Sequence, residues 1–249
     1  MRIPKISQSL IRELLNEDSC KRYVYEVFWN QVETPSSITM KKGLLFESLL
    51  IGSSRGGVYD GEDFPKLKSG KPTKGELDVR QLAESSKDVL KDMGIEPIDV
   101  QPEWETDTLI GHPDLTANYK GEKILIDIKY TETKEDDNVR WNPFAWGGDI
   151  RNKDYTQAIH YVYMCHLITG EYLPFYYLIF GKSGWVKFVR VKIKPETLEM
   201  HKNIVKNLEE DVLDFQPYPI NDYSVCKKCS LFDICDEATK LPNQIEVIV

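Results

Sequence analysis

Two aspartates and a lysine stand close together in "HPDLTANYKGEKILIDIKYT", residues 112–131, a stretch otherwise patterned as buried sheet. Asp127 interrupts the apolar run Ile124-Leu125-Ile126, and Lys129 follows after Ile128. Side chains alternate faces along a strand, so Asp127 and Lys129 point to one side and Ile126 and Ile128 to the other. Asp114, just after Pro113, lies on the preceding segment, and a hairpin through "KGEK" brings it beside Asp127. Ionised groups are costly to bury unless something pairs with them. Two carboxylates converging at a sheet end suit a hard divalent cation, magnesium or manganese, which takes oxygen ligands. Such an ion activates a water and screens charge on a phosphate; Lys129 then positions or deprotonates that water, or stabilises the transition state. The alternative is a structural ion pair between Lys129 and one of the aspartates at a sheet edge.

These residues need elements to hold them. "SQSLIRELLNE" predicts a helix, with Leu10, Ile11, Leu14 and Leu15 at helical spacing, and "SSITMKKGLLFESLLIG" a second that carries Glu47. "KLKSGKPTKGE" is a loop by composition, and "ELDVRQLAESSKDVLKDMG" a helix ending at Gly94. From Val100 to Thr131 the pattern turns to strands, "TLIGHPDLTANY" and "ILIDIKYT" forming a hairpin. "NKDYTQAIHYVYMCHLITG" returns to helix, "PFYYLIFG" and "WVKFVRVKI" pair as strands, and "PETLEMHKNIVKNLEEDVLDF" is a long helix opened by proline. The fold class expected is α/β, a mixed central sheet flanked by helices, with a cysteine-rich C-terminal segment tied to the N-terminal helix.

The order "PD", then a strand carrying "DIK", resembles the signature of the PD-(D/E)XK nuclease superfamily. The resemblance implies Asp114 and Asp127 as metal ligands, Lys129 as the catalytic lysine and the Ile128 carbonyl as a further ligand. The superfamily commonly places an acidic residue on a helix upstream of the sheet, which here is Glu47; a glutamate on a helix is otherwise usually exposed. In the CRISPR-associated exonuclease branch a histidine often serves near this point, and none of the four histidines here lies there. Downstream, "QAIHY" sets Gln157 and Tyr161 four apart on one helical face. This is similar to the glutamine–tyrosine motif of the RecB-like branch, whose residues line the active site and contact DNA. Read without it, Tyr161 is a core residue, and His160 and Cys165 on the same helix are packing residues.

The tail holds Cys226, Cys229 and Cys235, three thiols that need a fourth partner for a closed site; Cys20 is the best candidate, since Cys165 sits mid-helix in apolar context. One early cysteine with a late CxxC and a final cysteine resembles the iron–sulfur RecB-like nucleases, AddB-type and CRISPR-associated exonucleases among them. A 4Fe–4S cluster is the expected occupant. Structural zinc is the alternative, although zinc sites usually draw on two close cysteine pairs. Either would clip the two ends of the chain together. The whole of 1–249 is then read as one nuclease domain, its core about 37–215 and its cluster-binding segments about 15–25 and 222–240.

For nucleic acid the densest basic patch is Lys66, Lys68, Lys71 and Lys74, with a solvated loop as the plain alternative. In "NVRWNPFAWGGDIRNKDY", Trp141, Phe144 and Trp146 with Arg140, Arg151 and Lys153 could stack bases and hold phosphates, or the aromatics could seal the core. A net charge of −8 argues against non-specific coating of nucleic acid while leaving room for a local basic groove. The composition, 41% hydrophobic and 29% charged, is that of an ordinary globular chain. "MRIPKISQSL" lacks the long apolar segment of a secretory signal and no apolar run approaches a membrane span, so the expected setting is cytoplasmic. Five cysteines there favour metal ligation over disulfides. The expected activity is metal-dependent hydrolysis of DNA phosphodiester bonds. An exonuclease acting on single-stranded or duplex ends is expected, with a helicase or recombination partner as an open candidate. A structure-specific endonuclease, or a DNA-binding or assembly subunit without catalysis, is the rival.

Overall fold

The computed structural model describes residues 3–54, 57–133, 146, 153–220 and 223–235. The chain divides into two compact units, a smaller one formed by residues 1–35 and 204–249 and a larger one by residues 36–203.

The smaller unit begins with α1 (Gln8–Leu15) and α2 (Lys21–Phe28). Ser7 caps α1 by accepting from the Leu10 N–H, and Leu10 and Ile11 are buried, as their spacing predicts. Helix α2 is not evident from the sequence pattern; its Trp29 cap stacks on Phe215 with ring centroids 4.5 Å apart.

The larger unit starts with α3 (Ile38–Ile51), α4 (Lys74–Ser86) and the short α5 (Val89–Asp92). The single helix expected up to Gly94 is thus broken at Lys87 and Asp88. The strands are β1 (Ile95–Val100), β2 (Trp104–Glu105), β3 (Ile110–Gly111), β4 (Leu115–Tyr119) and β5 (Glu122–Thr131). After α6 (Thr156–Thr169) come β6 (Phe175–Gly181) and β7 (Val186–Val191). Helix α7 (Pro195–Leu213) gives its opening turns to the larger unit and the rest to the smaller, which ends in α8 (Tyr223–Cys226) and a 3₁₀ turn at Phe232–Ile234.

Among the described residues five strands form one mixed sheet in the order β1-β4-β5-β6-β7, with β5 and β6 parallel and the other neighbours antiparallel. Parallel neighbours need a crossover, and α6 lies in the connection. The expected strand "TLIGHPDLTANY" is two pieces: β3 pairs with β2 in a separate small sheet, and the chain leaves extended pairing at His112–Pro113 before β4 begins. The hairpin turn is as the sequence predicts. Tyr119 pairs with Glu122, so Lys120 and Gly121 form a two-residue loop, and both have positive φ (52° and 82°), as the tight turn matching strand twist requires.

One face of the sheet (Ile124, Ile126, Ile128, Leu178 and Phe180) packs with Leu45 and Phe46 of α3 and Val79 and Ala83 of α4 in one apolar core. On β5 the alternate residues Leu125, Asp127 and Lys129 take the opposite face. Gly181, at the end of β6, is a place where only glycine fits: a Cβ there would stand 1.9 Å from the Trp185 ring.

Two polar groups hold the larger unit together from inside. Glu76, 1% exposed, receives Lys66 Nζ at 3.0 Å and Arg80 Nη2 at 2.9 Å. Burial works to raise its pKa, but these two cations hold it below the ordinary value. On α6, His160 Nε2–H donates to the Ile110 carbonyl (2.9 Å), which leaves its Nδ1 to accept from His201 Nε2–H of α7 (3.3 Å). Burial pushes both imidazoles down to about 4, and the neighbouring His160 adds to the effect on His201.

Two outcomes follow for folding. Glu76→Ala removes the acceptor that Lys66 and Arg80 share and should lower unfolding free energy by about 2 kcal/mol, read from urea denaturation. The histidines' folded pKa lies below the unfolded value near 6.5, so their contribution is complete above that pH and is lost as pH falls toward 4. At pH 5 each imidazole should cost about 2 kcal/mol relative to pH 7. The His160→Leu/His201→Leu double variant should lack that part of the pH dependence in the same denaturation series.

Candidate active site

The site forms on β5, second neighbour to both sheet edges, where β4 and β6 fix its register. Leu115 pairs with Ile126, so Asp114, one residue before β4 starts, comes level with Asp127. Its carboxylate Oδ2 accepts the Ile128 N–H at 2.6 Å, which ties the loop to the strand. Asp127 is 1% exposed and its Oδ2 stands 2.6 Å from Lys129 Nζ. That contact brings opposite charges together without hydrogen-bond alignment, and Asp127 Oδ2 is a buried oxygen with no hydrogen-bond partner.

Helix α6 supplies the next layer. Lys129 Nζ donates to Gln157 Oε1 at 2.9 Å, and Gln157 Nε2 donates to the Tyr161 hydroxyl at 3.3 Å. Tyr161 is also buried, 6% exposed, so it serves the core and the site at once. Tyr177 of β6, in register with Asp127, carries the Trp146 ring at 4.5 Å, and Lys129 Nζ lies 5.7 Å from both ring centres. Lys153 sits 5.1 Å over the Trp146 ring, and burial lowers its pKa.

Glu47 of α3 completes the charged group. Gln101, just beyond β1, donates from Nε2 to Glu47 Oε1, while its own N–H donates to the Asp114 carbonyl at 2.8 Å. Nothing in the spacing or composition marks Gln101; its role depends on where β1 ends relative to α3, which a local pattern does not contain.

The electrostatics are those of a site under tension. Burial raises the Asp114 pKa well above the ordinary value, and the charges of Asp127 and Glu47 push it further. Burial also raises Asp127, against the pull of Lys129. For Lys129 burial disfavours the charged form, but Asp127 and Asp114 outweigh it and hold the ammonium's pKa above normal. Lys129 is therefore a persistent cation beside two carboxylates that each lack full compensation. Two buried carboxylates sharing one ammonium make an all-oxygen donor set that also fits a hard divalent ion. Among the described residues, however, no three His, Cys, Asp or Glu side chains are drawn together as a finished metal cage.

Of the other expected positions, Lys66 is engaged with Glu76, while Lys68, Lys71 and Lys74 are exposed, the last opening α4. Arg140, Trp141 and Arg151 lie outside the described residues. His160 and Cys165 are both fully buried.

In the smaller unit, Cys20, Cys226, Cys229 and Cys235 all line one cavity of about 770 Å³. Cys20 stands at the start of α2, and the Leu231 N–H donates to Cys229 Sγ at 3.4 Å. Four thiol side chains around one cavity are a donor set that suits zinc or an iron–sulfur cluster. The four sulfurs are not gathered into a single ligating cluster.

Neither a known protein family nor a curated protein matches this sequence. In fold the chain is similar to a solved structure described as a "Putative exonuclease" from Eubacterium rectale. The TM-score is 0.62, and the match covers 99% of this chain and 91% of that one at 15% identity. The architecture shared with that structure is α/β, with a mixed central sheet, five-stranded among the described residues, flanked by helices.

Proposed function

We propose that this protein is a metal-dependent deoxyribonuclease of the PD-(D/E)XK superfamily, RecB-like branch, acting as an exonuclease on DNA ends. The observation that carries the reading is the convergence of Asp114, Asp127 and Lys129 at one strand pair, with Gln157 hydrogen-bonded to the lysine and Tyr161 to Gln157. Asp114, Asp127 and the Ile128 carbonyl would hold magnesium or manganese, with Glu47 beside them. The bound ion supplies charge for the scissile phosphate and an activated water.

The chain's own residues do the rest. Lys129, paired with Asp127, can offer its charge to a phosphate oxygen or position the attacking water. Gln157 orients that ammonium through its carbonyl, and Tyr161 fixes the amide so that this oxygen faces the lysine. Trp146, resting on Tyr177 and flanked by Lys129 and Lys153, is the group suited to stack a base next to the reacting phosphate. Lys68, Lys71 and Lys74 are candidate phosphate contacts further along the strand, together with Arg140, Trp141 and Arg151. The four cysteines of the smaller unit are candidate ligands of a 4Fe–4S cluster, with zinc as the alternative occupant. Exonuclease action is favoured over endonucleolytic cutting by the likeness in fold to a structure described as a putative exonuclease. A helicase or recombination partner would supply the ends.

Incubation of end-labelled linear and covalently closed circular DNA with magnesium or manganese tests this reading. Loss of linear DNA alone is expected; nicked circles would point to the endonuclease, and intact DNA of both kinds would refute catalysis. Lys129→Ala should reduce cleavage by at least about 100-fold with the fold retained by circular dichroism. Asp114→Asn should abolish cleavage yet melt at a higher temperature than the wild type in chelator, because it keeps an acceptor for Ile128 while removing a repelled charge. Anaerobically purified protein should be brown and contain iron; a colourless preparation with stoichiometric zinc would overturn the cluster assignment.

A further inference from the structure

Gln101 is the most constrained polar residue around the site, and its bonding is not accounted for by sheet formation. It is one of three non-glycine residues with positive φ among those described, at 50°, just after β1 ends at Val100. A side chain in that backbone region persists only when its surroundings over-determine it. Three contacts do so, one to each neighbouring part of the site. The Gln101 N–H donates to the Asp114 carbonyl at 2.8 Å, which fixes the loop that delivers the aspartate. The Ser53 hydroxyl, just past α3, donates to Gln101 Oε1 at 2.8 Å. The amide nitrogen then has one orientation left, and in it Nε2–H donates to the Glu47 carboxylate.

We infer that Gln101 is the positioning residue of the metal centre, locking Glu47 and the Asp114 loop into one arrangement before an ion binds. The inference rests on the nuclease reading above. Glu47 reaches the site from α3 and Asp114 from the loop before β4, and Gln101 is bonded to both. The neutral Gln101 amide holds Glu47 without adding a charge of its own to the site. A lysine or arginine in the same place would neutralise the glutamate. Groups that orient metal ligands in this way typically govern affinity for the ion by about 10- to 100-fold.

The test separates affinity from chemistry. Binding of manganese alone to full-length protein is followed by the loss of the free-ion electron paramagnetic resonance signal, and cleavage of linear DNA is measured across a manganese series. Gln101→Met, which preserves shape and removes both side-chain hydrogen bonds, should weaken manganese binding at least about tenfold. Its cleavage rate at saturating manganese should stay within about threefold of wild type. Ser53→Ala, which frees the same amide without touching Glu47, should shift affinity in the same direction by a smaller factor, and it carries the test if Gln101→Met does not fold. Unchanged manganese affinity in both variants, with an active wild type, would overturn this inference and leave the nuclease reading standing. Loss of saturating rate with unchanged affinity would overturn it equally. A wild type that neither binds manganese nor cuts DNA would remove the nuclease reading, and this inference with it.

Discussion

The larger unit is organised around a repulsion that its own atoms do not relieve. Asp114 and Asp127 meet in a desolvated place with one ammonium between two carboxylates and a third acid nearby. Removing an ion from water costs several kcal/mol even after relaxation. Stability alone would fill this space with aliphatic side chains, as Ile124, Ile126 and Ile128 do on the opposite face of the same strand. The sheet, the hairpin turn and α6 are rigid enough to keep the charges together, and that rigidity is the fold's contribution to chemistry.

Rigidity comes from the division of labour between the faces of β5. Ile124, Ile126 and Ile128 anchor the strand in the apolar core, and the alternation of the strand then has no choice but to present Asp127 and Lys129 on the other side. A slip of one residue would bury the charges in the core and expose the isoleucines. The two-residue turn at Lys120–Gly121 blocks such a slip by fixing the β4–β5 register, which also sets Asp114. The geometry of the candidate site is thus enforced by the hydrophobic pattern of residues on the other face of the sheet.

Much of this was legible in the chain because it is local. Alternation, a Lys-Gly turn and an acid breaking an aliphatic run all lie within twenty residues, and they suffice for the hairpin and the shared face of Asp127 and Lys129. That Gln157 and Tyr161 share a helical face was readable from spacing, though the contact of Gln157 with Lys129 depends on the β5–β6 crossover. What escaped was long-range. Gln101 acquires its meaning from α3 and the Asp114 loop, both distant in sequence. Glu76 looks like any helical surface glutamate until the Lys66 loop folds over it, and only then does a lysine set aside for phosphate emerge with a carboxylate partner. The break before β4 is equally invisible, because a proline between two strand-like runs fits a bent strand as well as a change of sheet.

The smaller unit is assembled from residues 1–35 and 204–249, so the larger unit interrupts it in sequence. A ribosome releases α1 and α2 long before α8 and its cysteines. The apolar surfaces of the early helices must therefore wait, exposed or chaperoned, while the intervening sheet collapses on its own local contacts. Vectorial synthesis makes the sheet the first part to become native and makes the thiol-lined cavity the last, so any metal destined for that cavity can enter only a nearly finished protein.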